Sequence, residues 1–220
     1  MKQLMENDFR LVYGLIFLLL SSCYPTEDLF VEDLDIVVTT PDESVDFTNF
    51  QTFAIPDTVV RLTSNGSDEN SPGPFDQLML DLVVENMEAL GYVRELDPEN
   101  NPPDLLIFVQ LAVIENILIS PGYPVWNNWG WWGGWWPGWG YGPGWGGYYP
   151  YVPVVSSFTT GTLFIDMIDP NRPDVADQEI PIIWSAFLNG LATGSSASIE
   201  ARINTNINQA FDQSPYLGAD

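Results

Sequence analysis

No histidine occurs in the 220 residues, which excludes Ser-His-Asp and Cys-His catalysis and any His-ligated zinc. A single cysteine, Cys23, permits no intramolecular disulfide, no zinc-thiolate site and no iron–sulfur cluster. Basic residues are nearly as scarce: six Lys and Arg stand against 30 Asp and Glu, a formal net charge of −24. That deficit argues against nucleic acid as a partner, because affinity for phosphate backbones comes from Lys and Arg. The nucleophile elbow, the phosphate-binding Walker loop and the dinucleotide fingerprint are absent as well, and no cofactor is expected. What remains is 45% apolar, ordinary for a folded domain, so the acidity does not signal wholesale disorder.

The N-terminus reads as an address. Lys2 and Arg10 flank its start, and the apolar run Leu11-Val12-Tyr13-Gly14-Leu15-Ile16-Phe17-Leu18-Leu19-Leu20 follows. At 1.5 Å per residue the run reaches about 15 Å, half a bilayer core, so it suits the apolar stretch of a secretory signal peptide rather than a membrane span. Leu20-Ser21-Ser22-Cys23 then resembles the bacterial lipobox, with small residues beside the cleavage point and a thiol to accept the lipid. The reading is a signal peptide over 1–22, lipidation with palmitate-type acyl chains at Cys23, and an acidic tether over 23–33. Each buried CH₂ of the anchor contributes about 0.8 kcal/mol, so several chains hold the protein stably at a membrane. Tyr24 stands where some bacteria place an inner-membrane retention aspartate, which points to the outer membrane, its periplasmic face ahead of the cell surface.

Residues 34–217 read as one α+β domain. Leu34–Val38 and the latter half of Val45–Ile55 have strand character, and residues 63–74 are a loop by composition. Phe75, Leu78, Met79, Leu82, Val83 and Leu90 form one helical stripe ending at Gly91, a natural C-terminal cap. Tyr92-Val93-Arg94 is a short strand, and the apolar run Leu105–Ile114 a central one buried on both faces. Gly161–Asp169 and Ile180–Leu188 form a hairpin, and Ile199, Ile203, Ile207, Ala210 and Phe211 give a second helix after a serine-rich start. The simplest assembly is a mostly antiparallel sheet with two helices packed on one face.

Between the strands lies a segment unlike the rest. Residues 121–153 hold Trp126, Trp129, Trp131, Trp132, Trp135, Trp136, Trp139 and Trp145, with Tyr141 and four further tyrosines, among ten glycines and no charged residue. So much glycine and proline opposes regular structure, and the segment reads as a long aromatic, Gly-rich loop. Four uses compete for it: packing on the domain, contact with the membrane interface, stacking on a glycan, or contact with an envelope protein. These tryptophans with Tyr141 are the candidate binding surface.

Carboxylate pairs are the one catalytic option open to an acidic chain without histidine. Asp104, Asp166 and Asp169 are the nominees, yet among 30 acidic residues some pair approaches by chance. Asp169-Pro170-Asn171-Arg172-Pro173-Asp174 faintly resembles a calcium loop but fails the EF-hand pattern, so no metal site is assigned.

Several segments in order resemble the bacterial lipoprotein family catalogued as domain of unknown function 4136. They are Val45-Asp46-Phe47-Thr48-Asn49-Phe50-Gln51-Thr52-Phe53-Ala54, Leu90-Gly91-Tyr92, Asp104-Leu105-Leu106-Ile107, Gly161-Thr162-Leu163-Phe164-Ile165-Asp166 and Ile182-Ile183-Trp184-Ser185-Ala186. A lipobox and a Trp/Gly/Tyr-rich stretch before the Gly-Thr-Leu strand are similar too, while Ser185 departs from an often basic position. The resemblance implies an envelope lipoprotein with no known enzymatic activity and no catalytic residues to carry over. The chain is accordingly expected to be a lipid-anchored structural or binding module. Polysaccharide or cell-wall binding through the aromatic loop is the alternative, and a carboxylate-based hydrolase comes third.

Overall fold

The sheet is organised by the apolar run that follows Asp104. The computed structural model describes residues 36–63, 66–68, 72–112, 117–118, 146–148, 157–158, 161–172, 179–191 and 194–218. These belong to the unit Leu34–Asp220. In chain order the strands are β1 (Val37–Pro41), β2 (Thr52–Ala54), β3 (Val60–Thr63), β4 (Gly66–Asp68), β5 (Val93–Arg94) and β6 (Leu105–Ala112), with helix α1 (Asp76–Ala89) between β4 and β5. Then come β7 (Ile117–Leu118), β8 (Gly146–Tyr148), β9 (Ser157–Phe158), β10 (Leu163–Ile168), β11 (Glu179–Leu188) and helix α2 (Ser196–Asp212).

The main sheet runs β1-β11-β10-β6-β2-β5, and β7 pairs with β9 in a separate ribbon. It is a mixed sheet, which corrects the expectation of a mostly antiparallel one. β1, β11, β10 and β6 are antiparallel neighbours. On its other edge β6 is met in parallel by β2 at Leu105 and Leu106, then by β3 at Gln110 to Ala112. β5 is parallel to β2, and β8 to β11. For β2 and β5 the cause is α1, which intervenes between them and carries the chain back so that the next strand runs in the same direction. The expected loop over 63–74 is corrected in part, since β3 and β4 make a tight antiparallel pair with Thr63 opposite Gly66.

Strand alternation sorts β6, β10 and β11 into two buried faces. Val109, Ile165 and Ala186 lie opposite one another and join the core formed with both helices. Phe108, Asp166 and Ser185 lie opposite one another on the reverse face and are equally buried. A bulge opposite Met167 and Ile168 lets two successive residues, Ile183 and Trp184, both join the helix-side core. Trp184 is fully buried, and its indole N–H donates to Ser214 Oγ at 3.1 Å.

Both helices follow the capping signals. α1 ends at Gly91 with φ 97°, where the Gly91 N–H donates to Glu88 O and the Tyr92 N–H to Met87 O, both at 3.1 Å. Paired 5→2 and 6→1 bonds of this kind need the left-handed conformation that glycine adopts without strain. α2 begins at Ser195, whose side chain accepts from the Ser198 N–H. Among the described residues no helix is long and apolar enough to cross a membrane.

Candidate functional site

The residues singled out for binding and lipidation, Cys23 and the tryptophans of 121–153 with Tyr141, lie outside the described residues. Within that segment Gly146–Tyr148 is described, and it forms β8 rather than loop. The three nominated carboxylates are described, and each holds the fold together locally.

Asp104 closes the start of β6 onto β2. Its Oδ2 accepts the Gln51 N–H at 2.8 Å, the Thr52 N–H at 2.9 Å and the Thr52 hydroxyl at 2.9 Å. The Asp104 N–H in turn donates to Thr52 Oγ1 at 2.9 Å. Desolvation pushes this carboxyl up, but the three donated hydrogen bonds outweigh it and leave its pKa below the ordinary value. Its charge also reaches Tyr92, whose phenol is pushed up to about 12, by burial first and by the Asp104 charge second.

Asp166 sits at the centre of the reverse face, 1% exposed. Its Oδ2 accepts from Gln110 Nε2 at 2.8 Å and its Oδ1 from the Ser185 hydroxyl at 2.5 Å, which ties β6, β10 and β11 across the sheet. A one-residue slip of any of these strands would carry a polar partner to the helix side, so the trio specifies register. Asp169 lies at the end of β10, where its Oδ1 accepts the Asn171 N–H at 2.8 Å. Burial pushes its pKa up, against the opposing pull of the Asn171 bonds and the Arg172 charge. Among the described residues no group of three or more acidic side chains is placed to hold a metal.

The arginines are more informative than the acids. Arg61 forms a two-pronged pair with Asp76, at 2.6 and 3.0 Å, and also donates to Val59 O. It thereby fastens β3 to the first turn of α1, and Gly73 leaves room for the guanidinium while its N–H donates to Asp76. Arg172 pairs with Asp42, and Arg202 donates to Gly190 O. Among the described residues Arg94, on β5, makes no ion pair or side-chain hydrogen bond, and its Nε is buried without an acceptor. It lines a cleft of about 140 Å³ walled by Ile55, Pro56, Leu96 and Pro98, with Asp57 and Glu95 at its polar side. A second hollow of about 130 Å³ lies between the starts of the helices and is apolar, lined by Phe75, Met79, Leu111, Leu191, Ile199 and Ile203.

Sequence reasoning missed Arg61 and Arg94. The usable signal was scarcity: four arginines follow Cys23 amid many acids, so an arginine left unpaired is itself an anomaly.

Comparison with solved structures finds a similar fold in a protein of the same family from Bacteroides thetaiotaomicron. It is 30% identical, with a TM-score of 0.62, over 83% of this chain and 97% of that one. A PelC dodecamer from Paraburkholderia phytofirmans is 12% identical over 84% of this chain and 99% of its own, with a TM-score of 0.36. A PDZ domain protein from Parabacteroides distasonis is 16% identical over 83% of this chain and 36% of its own, with a TM-score of 0.39. At those values neither bears on what this chain does. Among curated proteins none matches. Residues 37–216 match the family described as a domain of unknown function, DUF4136, and with the Bacteroides relative this places the chain in that family.

Proposed function

We propose that this protein is a lipid-anchored module of the bacterial cell envelope that acts by holding and binding rather than by turnover. The observation that carries the reading is Cys23, the only cysteine, standing directly after Leu20-Ser21-Ser22 and the ten-residue apolar run. Its thiol is the group a diacylglyceryl transfer requires, and the acidic tether that follows separates lipid from domain. No enzymatic family is indicated by the comparisons. The use made of these acids agrees with this, since Asp104 and Asp166 are each bound to groups on neighbouring strands. The test is labelling of growing cells with an alkyne fatty acid, followed by detergent phase partition. The wild-type chain should carry label and enter the detergent phase. Cys23→Ser should lose both, and label retained by that variant would sink the reading.

A second reading rests on the uncharged run of 121–153, where tryptophans offer flat faces to sugar rings. Polysaccharide binding that persists after Trp131, Trp132, Trp135 and Trp136 become Ala would dismiss it.

A further inference from the structure

We infer that the open edge of the sheet at β5 is a docking site for an extended segment of another protein, with a carboxylate of that segment taken by Arg94. Among the described residues β5 is the last strand on its side of the sheet. The Val93 N–H donates to Gln51 O and the Glu95 N–H to Phe53 O, at 2.9 and 2.8 Å. The N–H and C=O of Arg94, which lies between them, therefore face outward, as on any edge strand that can accept another. Its flanks are apolar and open, with Val93 63% and Leu96 79% exposed. Arg94 itself brings a guanidinium that has no hydrogen-bond or ion-pair partner among the described residues, beside a cleft. The terminal nitrogens of a guanidinium take a carboxylate through two parallel bonds, and here no other acceptor competes for them among the described residues.

The occupant is not a second copy of this chain. Antiparallel addition sets outward-facing residues directly opposite one another. A two-fold copy centred on Arg94 or Glu95 would thus oppose like charges, which repel, and one centred on Val93 would set Arg94 against Tyr92, whose N–H is already given to Met87 O. The net charge of −24 adds to that repulsion. A foreign strand that fits presents Asp or Glu opposite Arg94, an apolar residue opposite Val93 and a basic one opposite Glu95. Read in its own direction, its centre is apolar-basic-acidic-apolar.

The probe is a fluorescent hexapeptide, Thr-Val-Lys-Glu-Val-Thr with blocked ends, titrated by anisotropy against the full chain in detergent micelles. Saturable binding is expected. Arg94→Gln should weaken it roughly tenfold or more, as loss of a charge-assisted pair does. Replacing the peptide's Glu by Gln should weaken binding to the parent and add little to Arg94→Gln, the coupling expected of two groups in contact. Methylating the backbone nitrogen of that Glu should abolish binding, because the strand bond to the Arg94 C=O is lost. Leu96→Ser gives an independent variant should Arg94→Gln unfold. No saturation at millimolar peptide, or binding indifferent to both the methyl group and the Glu-to-Gln change, overturns the assignment.

Discussion

Replacing Asp104 by alanine removes one oxygen that accepts three hydrogen bonds, from two backbone N–H groups and one hydroxyl. Hydrogen bonds to a charged group contribute about 1.5–3 kcal/mol each when measured singly. Here they share one acceptor, so they do not add, and the carboxylate is partly exposed, so solvent screens it. A loss of about 2–3 kcal/mol is expected, much of it from N–H groups left without an acceptor as β2 leaves Gln51. Urea unfolding of a soluble form starting at Tyr24, followed by the fluorescence of buried Trp184 and its fellow tryptophans, measures it. Thr52→Val should lose less and be strongly non-additive with Asp104→Ala, because the Thr52 hydroxyl donates to the carboxylate that the second change removes. The pH dependence has a definite sign. The folded pKa of Asp104 lies below its unfolded value, so its contribution is complete above about pH 4 to 5 and is lost as acid passes through the folded value. The gap between parent and Asp104→Ala should therefore close in acid. A variant within about 0.5 kcal/mol of the parent at neutral pH, the range of an ordinary surface change, would refute the reasoning.

Two further outcomes follow from the other charged groups. Arg61→Ala should destabilise by about 3 kcal/mol, since it strands Asp76 at the start of α1, whereas Arg61→Met with Asp76→Leu should recover most of that in urea unfolding. Asp169 has its folded pKa raised, so its ionised form opposes folding above that value; Asp169→Asn, able to accept the same Asn171 N–H, should stabilise at neutral pH and lose the advantage in acid.

The long elements were legible because one physical signal sufficed for each. Leu105–Ile114 is apolar without interruption, as a strand buried on two faces must be, and it is β6 over Leu105–Ala112. The α1 stripe and Gly91 likewise state where that helix lies and stops. β1 is displaced from Leu34–Val38 to Val37–Pro41 because its register is set by pairing with Trp184 to Leu188, a contact no local pattern contains. β3 and β4 were obscured by the polar composition of 63–74, although Asn65-Gly66 after Val59-Val60-Arg61-Leu62 is a hairpin signal that outranks composition. Strand direction escaped for a different reason: β2 and β5 are parallel because α1 carries the chain back between them, and β6 because residues 95–104 do so again, and apolar period does not encode path. At the site, Arg94 was invisible because its distinction is the lack of a partner, which only three-dimensional placement reveals.

The seam between β6 and β10 joins residues far apart in sequence, with Val109 opposite Ile165. Closing a longer connection adds only about 0.6 kcal/mol for each doubling of its length. The side chains along the seam, not the intervening chain, thus determine whether these two strands meet. Evolution is then free to lengthen or shorten the connection between Ala112 and Gly161 outside β7, β8 and β9 at small thermodynamic expense. Tryptophans and glycines can accumulate in that connection while the seam between β6 and β10 goes on forming.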